Sequence, residues 1–209
     1  SSNVVPNINR LSLINELEAQ YSALRRGTVA LLQACGEKLV DVIASDACDA
    51  VSVWQATAFA LFDQLFAHGY DVEGKWLQYL ARRGYLTHFL DDLTRAERQR
   101  LLQQLLTPTP EQSAFTELFV YESRLSFLVS VASRSPQGAQ LLLDNHIIAT
   151  LTRCRFLADT PLDHIYDYHT ADESTWLPPV LERYHALLLP VLRLLTALLT
   201  QLPRNEDLA

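Results

Sequence analysis

The sequence predicts an all-α protein built from stacked helices. Apolar residues recur at spacings of three and four along almost all of the 209 residues, and no run alternates as a half-buried strand does. Hydrophobic residues make up 49% of the chain, which is enough to bury a core. The segments 77–89 and 139–151 resemble each other, which favours an irregular α-solenoid of HEAT- or armadillo-like helix pairs over a four-helix bundle.

Start and stop signals in the first half predict a series of helices. Ser12 is suited to cap a first helix, whose apolar pattern resumes at residues 29–44 with Gly36 as a weak point. Asp49 is suited to cap a second helix, which ends at residues 68–69 because glycine favours a helix C-terminus. Shorter helices are predicted over 72–83, 85–90 and 95–106.

Prolines punctuate the second half. The segment 107–110 ends one helix and opens a long one, and Pro136 fits the first turn of the next. A helix of about 22 residues follows the proline pair 178–179, with Pro190 inside it. Residues 157–175 are the least regular part. We expect one α-helical segment over 1–209, with softer junctions near 107–110 and 157–178.

The resemblance between 77–89 and 139–151 has a constant offset, since 142 − 80, 147 − 85 and 151 − 89 all equal 62. Each segment is a helix that ends in a short polar turn. Two large apolar residues follow the turn, and a third lies four positions past the first of them. HEAT and armadillo repeats have such a pattern at spacings near 40–47 residues, so any repeats here are irregular. Chance similarity of two amphipathic helices is the alternative.

The chain has no methionine and begins with three polar residues, from which we expect a piece of a longer protein. The alternative is that modified methionines or loops are missing from the sequence. Three cysteines without a CxxC spacing are expected as buried thiols in a reducing compartment.

Charge and motifs argue against several functions. A net charge of −7 and a pI near 5.3 do not suit nucleic acid, which needs a basic stripe. Residues 69–76 match the glycines and lysine of a phosphate-binding loop, but Trp76 replaces the Mg²⁺-binding Ser or Thr. The loop 163–173 gathers Asp, His and Glu without metal-site spacing. We expect no enzyme, cofactor or metal; an all-α enzyme with metal in that loop is the alternative.

The charged residues 91–100 are expected to be structural. The pair Asp91-Asp92 suits a helix junction, where carboxylates favour a helix N-terminus. The arginines of the following helix, together with Glu97, are expected to form a solvated face: Arg95, Arg98 and Arg100.

The final helix is apolar around most of its circumference. Arg193 near its middle disfavours a transmembrane span. Such a helix needs neighbours on at least two sides, so either it is the centre of the domain or a partner covers its outer face. For the second case, the predicted partner-binding residues are Val191, Leu194, Leu195 and Leu198.

The second half of the chain resembles the large inner-ring scaffold nucleoporins, the group that contains nucleoporins 205 and 192. The segments that carry the resemblance are 121–132, 138–143, 151–157 and 181–195. It implies a long α-solenoid in the nuclear envelope that binds helical segments of linker nucleoporins, supports nucleocytoplasmic transport indirectly and has no active site. A cytosolic HEAT- or armadillo-type adaptor or transport receptor is the alternative.

Overall fold

The structure is a computed structural model that describes residues 7–158 and 177–201. Those residues form nine α-helices and three short 3-10 helices, and none of them forms a strand, so the predicted all-α class is confirmed. The α-helices are α1 (Asn7–Asp49), α2 (Ser52–Ala67), α3 (Lys75–Arg82), α4 (Tyr85–Asp91), α5 (Ala96–Gln104), α6 (Gln112–Arg134), α7 (Pro136–Asp144), α8 (Ile147–Thr152) and α9 (Val180–Gln201).

Two compact units divide the chain, one up to Leu39 and one from Val40 onward. Helix α1 is interrupted at Gly36, where φ is 53° and ψ −141°, a conformation that glycine adopts without a steric penalty. The predicted weak point is therefore confirmed. The predicted cap at Ser12 is wrong: α1 begins at Asn7 and no Gly or Pro interrupts residues 7–12.

The helix start predicted from a proline is confirmed, whereas the cap predicted at Asp49 is wrong. Pro136 occupies the first turn of α7, and the Ser135 hydroxyl accepts a hydrogen bond from the Gly138 N–H at 3.1 Å. Asp49 does not cap α2, because α1 continues through it and the extended residue before α2 is Val51. The predicted irregular segment 157–175 lies almost wholly outside the described residues.

In the second unit, α6 lies between α2 and α9 and contacts both, while the shorter helices pack around them. Five phenylalanines from α2, α4 and α6 form the centre of the core: Phe59, Phe62, Phe66, Phe89 and Phe127. Ring centroids are 5.0 Å apart for Phe59 and Phe89 and 5.3 Å apart for Phe62 and Phe127. At about 25 cal/mol per Å² of buried apolar surface, this cluster is a major stabilising element.

The two similar sequence segments adopt the same local structure. Each is a pair of short helices, α3–α4 and α7–α8, and the second helix of each pair follows a left-handed residue. These residues are Gly84, with φ 79°, and His146, with φ 61°, and 146 − 84 again equals 62. The Thr87 hydroxyl donates a hydrogen bond of 3.0 Å to the Asn145 side-chain oxygen, which connects the two helix pairs. A solenoid built from further pairs of this kind stays a prediction.

Helix α9 is long and apolar enough to cross a membrane, judged by length and composition alone, with a mean hydropathy of 1.3 over its best 18-residue window. In the structure one side of this helix packs against α6, and 33% of that window is buried. The hydroxyl of Tyr121, on α6, donates a hydrogen bond of 2.7 Å to the Leu187 carbonyl.

The three cysteine thiols are free and differ in burial. Cys154 is buried and Cys48 is half-buried, and burial raises the pKa of each thiol to about 11. Cys35 is exposed, so the expectation of a buried thiol is wrong at that position.

Candidate functional site

Helix α6 has two chemically different faces. Its inner face is buried and consists mainly of large side chains together with two charged ones: Glu117, Val120, Tyr121, Arg124, Leu125, Phe127, Leu128 and Val131. From Glu122 onward its outer face is small and mostly polar, whereas Phe119 earlier on the same side is 63% exposed; the residues of the small part are Glu122, Ser123, Ser126, Val129, Ser130 and Ser133. Because side chains three and four positions apart share one side of a helix, each set forms a continuous stripe.

The inner face is locked by a buried ionic network around Asp92. The Arg98 guanidinium lies 2.6 Å from the Asp92 carboxylate and donates to both Glu117 oxygens, at 2.8 and 2.7 Å. The Arg124 guanidinium also donates to Asp92, and its carbon lies 5.0 Å from the ring centroid of Phe59. The expectation of a solvated face is therefore wrong for Arg98, because its side chain turns inward to two buried carboxylates.

Burial raises the pKa of the Asp92 carboxyl, but the charges of Arg124 and Arg98 outweigh it and hold the net pKa below its usual value. For Arg98, burial lowers the pKa, and the hydrogen bonds and charge of Glu117 more than compensate. These opposing effects keep Asp92 and Arg98 charged. The network positions helices through its ion pairs, while Asp92 Oδ1 and the Nε atoms of Arg98 and Arg124 form no hydrogen bond with a described residue.

The network extends to α2, which flanks the outer face on one side. Arg98 donates to the Gln55 side-chain oxygen at 2.9 Å, and the Gln55 amide donates to the Cys48 carbonyl at 2.9 Å. It thereby connects α1, α2, α5 and α6 within the second unit. Sequence patterns could not reveal this network, since Arg98 lies in an ordinary run of charged helical residues.

On the other side of α6, Arg183 anchors α9. Its side chain is 4% exposed and donates to the Thr107 carbonyl at 2.9 Å, to the Leu105 carbonyl and to the Pro178 carbonyl at 2.9 Å. Burial lowers the pKa of this guanidinium. Since three backbone carbonyls share one arginine, the connection at 107–110 is tied to α9.

An open groove runs over the outer face of α6. One part, about 370 Å³, is lined by Ala60, Asp63, Glu122, Ser123, Ser126, Val129, Pro190 and Arg193. A second part, about 460 Å³, shares Val129 and Arg193 with the first and continues between α6 and α9, lined also by Ser133, Leu189, Leu192, Thr196, Ala197 and Thr200. Helix α6 therefore lines the groove between α2 on one side and α9 on the other.

The groove carries few charges. Asp63 accepts hydrogen bonds from the Ser126 hydroxyl at 3.0 Å and from the Ser130 hydroxyl. Glu122 is half-buried and forms no hydrogen bond or ion pair with any other described residue. Burial raises the pKa of Glu122, and the positive charge of Arg193 offsets this only in part.

The predicted partner-binding residues lie mostly inside the protein. Val191 is 5% exposed, Leu194 0% and Leu198 2%, and Leu195 is half-buried. Since apolar residues encircle the helix, the sequence alone could not show which side α6 covers. The outward apolar side chains of α9 are instead Leu189, Leu192 and Leu199, at 48%, 45% and 68% exposure.

Two other predicted features have a structural explanation or fall outside the described residues. The Asp71 carboxylate accepts hydrogen bonds from the N–H groups of Trp76 and Leu77, at 2.8 and 3.2 Å. It thus occupies amides that a phosphate would need. The acidic and histidine-rich loop 163–173 lies outside the described residues, and the described ones contain no group of three or more potential metal ligands.

The geometry defines an all-α helical unit in which buried ion pairs join the helices and an open groove lies between α2 and α9. The Nup192 family, described as nuclear pore complex scaffold, nucleoporins 186/192/205, matches residues 8–207. The chain belongs to this family. Its place is therefore the nuclear pore complex of the nuclear envelope, and the resemblance proposed from the second half is confirmed over nearly the whole chain.

Two relatives illustrate how much of the family this chain represents. The nuclear pore complex protein Nup205 of Homo sapiens is 35% identical over 184 residues, which cover 88% of this chain and 9% of that protein. Nup205 of Drosophila melanogaster is 32% identical over 175 residues, 83% of this chain and 8% of the relative. The chain thus spans less than a tenth of the length of these relatives.

Proposed function

We propose that this chain is a structural scaffold segment of the inner ring of the nuclear pore complex, and that it binds segments of linker nucleoporins by helix-in-groove contacts. Family membership supports the scaffold role. In this proposal the segment supports nucleocytoplasmic transport indirectly, by holding other nucleoporins in place. Catalysis is not part of this proposal.

The groove between α2, α6 and α9 is the observation that carries the binding proposal. Its two parts are continuous through Val129 and Arg193. Leu189 and Leu192 line the part beside α9, and each is nearly half exposed. An amphipathic helix recognises such a surface by placing apolar residues at i, i+3, i+4 and i+7 along it.

A tiled-peptide experiment tests the proposal. Overlapping 24-residue peptides from other nucleoporins are screened against the 209-residue chain, and fluorescence anisotropy then gives the Kd of each binder. We expect at least one amphipathic peptide to bind, and the double variant Leu189→Glu, Leu192→Glu to weaken it at least tenfold, because two charges would be buried at the contact.

The chain provides a matched control for that variant. Ile148 is 44% exposed, close to the 45% of Leu192, but lies on α8 away from the groove. Ile148→Glu should leave the Kd unchanged, and circular dichroism should show equal helicity for all variants. If no peptide binds, or if Ile148→Glu weakens binding as much as the groove variant, the proposed binding site is wrong.

A further inference from the structure

The centre of the groove combines a floor of small side chains with an unpaired carboxylate. Ser123, Ser126 and Val129 leave room for another backbone to approach α6 closely. Glu122, beside them, forms no hydrogen bond or ion pair with another residue that the structure describes. A groove of this shape accommodates a helix, and an unpaired acid within it favours one kind of side chain on that helix.

We propose that the groove selects a partner helix that carries a lysine or arginine at its centre, placed to meet Glu122 and Asp63. Small or apolar residues one turn to either side of this basic residue would pack on the floor of the groove. The inference rests on the proposed function and deepens it, since it names the feature by which the groove distinguishes one nucleoporin helix from another.

Desolvation explains why Glu122 favours a basic partner. Its half-buried carboxylate has lost part of its hydration without gaining a donor. A docked helix would remove the remaining water, which costs free energy unless that helix supplies a cation. A neutral or acidic residue at the same place would leave the buried carboxylate with only the charge of Arg193 to offset its burial, so Glu122 opposes the wrong partner as well as favouring the right one.

Asp63 adds a second, already oriented carboxylate. Hydroxyl groups of Ser126 and Ser130 bind its two oxygens and hold the side chain in position. An ionised carboxylate has about four acceptor sites, so two serine bonds leave capacity for an incoming cation. The two acids outnumber the single base of the groove, Arg193, and their sign agrees with the chain's net charge of −7.

The test uses the peptides that bind in the tiled screen. For each binder, every Lys and Arg is changed to Gln one at a time, and Kd is measured with the native 209-residue chain and with Glu122→Gln. We expect the change of one basic residue per peptide to raise the Kd about five- to tenfold, because a charge-assisted contact is lost. With Glu122→Gln, the same change should leave the Kd unaltered. Raising the salt concentration should weaken the native pair more than the Glu122→Gln pair.

Glu97→Gln is the matched control, because Glu97 is an exposed acid on α5 outside the groove lining. It should leave every Kd unchanged. Binders that respond to Leu189→Glu, Leu192→Glu but are indifferent to their own basic residues and to Glu122→Gln would overturn this inference while the proposed function stands. If no tiled peptide binds, both are overturned.

Discussion

The two faces of α6 differ in whether their charges form ion pairs. On the inner face, Arg124 is 1% exposed and Asp92, which it contacts, is 3% exposed, and both are paired within a network. On the outer face, Glu122 is half-buried and forms no hydrogen bond or ion pair with another described residue, although the charge of Arg193 acts on it. Arg124, which stabilises the fold, and Glu122, which we propose contacts a partner, are thus only two positions apart in the sequence.

This difference distinguishes charged groups that stabilise the fold from charged groups that could contact a partner. Leaving a buried charge without a counter-charge costs several kcal/mol, so a network of buried ion pairs identifies an element that maintains the fold. A carboxylate without an ion pair on an open surface is tolerated because water still reaches it. The outer face of α6 is therefore the place to look for binding, and the inner face the place to look for stability.

The largest expected effect is on the inner face. Asp92→Asn should lower the free energy of unfolding by about 3–5 kcal/mol, because it leaves the buried guanidinium of Arg124 without its counter-charge. The neighbouring Asp91 is exposed, and Asp91→Asn should change stability by no more than about 0.5 kcal/mol. Urea unfolding followed by circular dichroism measures both, and equal losses would show that the network is not what distinguishes the two carboxylates.

Two leucines of α9 give the next effect. Leu194 is fully buried and Leu192 is 45% exposed, so Leu194→Ala should cost about 2–5 kcal/mol by opening a cavity. Leu192→Ala should cost less than about 1 kcal/mol and act on partner binding instead. Thermal unfolding and peptide affinity, measured on both variants, should rank them in opposite orders; the same order in both assays contradicts the assigned orientation of α9.

A smaller effect is expected at the contact between α6 and α9. Tyr121→Phe removes a buried hydroxyl that donates to the Leu187 carbonyl, and should cost about 1–2 kcal/mol. Tyr85→Phe removes a hydroxyl that donates a hydrogen bond of 2.8 Å to the Asp41 carboxylate, nearer the surface. Its cost should be smaller, because water can replace the hydroxyl as a donor to Asp41. Chemical denaturation of the two variants checks this order, and a larger loss for Tyr85→Phe would show that the Tyr121 bond does not join the helices.

The smallest expected effect is a gain in stability, opposite in sign to the loss expected for Asp92→Asn. Burial raises the pKa of Glu122 above its unfolded value near 4.3, so ionisation of this group opposes folding at neutral pH. Glu122→Gln should slightly raise the urea midpoint at pH 7, and the gain should vanish as the pH falls below about 4. A lower midpoint at pH 7 would mean that the carboxylate has a stabilising partner.

Asp92 should behave oppositely in the same titration. Its pKa is lowered in the folded protein, so its stabilising contribution is fully present above the unfolded value near 3.9. That contribution is lost as the pH falls through the folded pKa. The native chain and Asp92→Asn should therefore differ most in stability at neutral pH and converge in acid.

Local signals in the sequence predicted much of the fold. Pro136 marks the start of α7, Gly36 marks the interruption of α1, and the 22-residue length of α9 follows from its apolar run. These signals depend on backbone geometry within a few residues. The cap at Ser12 was wrong because a capping residue inside a continuous helical sequence does not stop the helix.

The candidate site was less predictable, because it depends on contacts between distant residues. Helical periodicity identified α9 as apolar all round, but Leu194 faces the core and Leu192 the groove only because α6 lies where it does. Likewise, Arg98 and Arg100 look alike in sequence, yet only Arg98 reaches the buried Asp92. Side chains that meet across 19 or more positions leave no local pattern.

The most direct test of the central claim is a cross-link from the wall of the groove. Ala60 is exposed, lines the groove and forms no side-chain hydrogen bond, so a photoreactive diazirine residue can replace it; Ile148 provides a matched position on α8. With a peptide that binds in the tiled screen, mass spectrometry should find the cross-link at position 60 and only background at 148. Equal yields at the two positions, or a higher yield at 148, would contradict a partner helix on the outer face of α6.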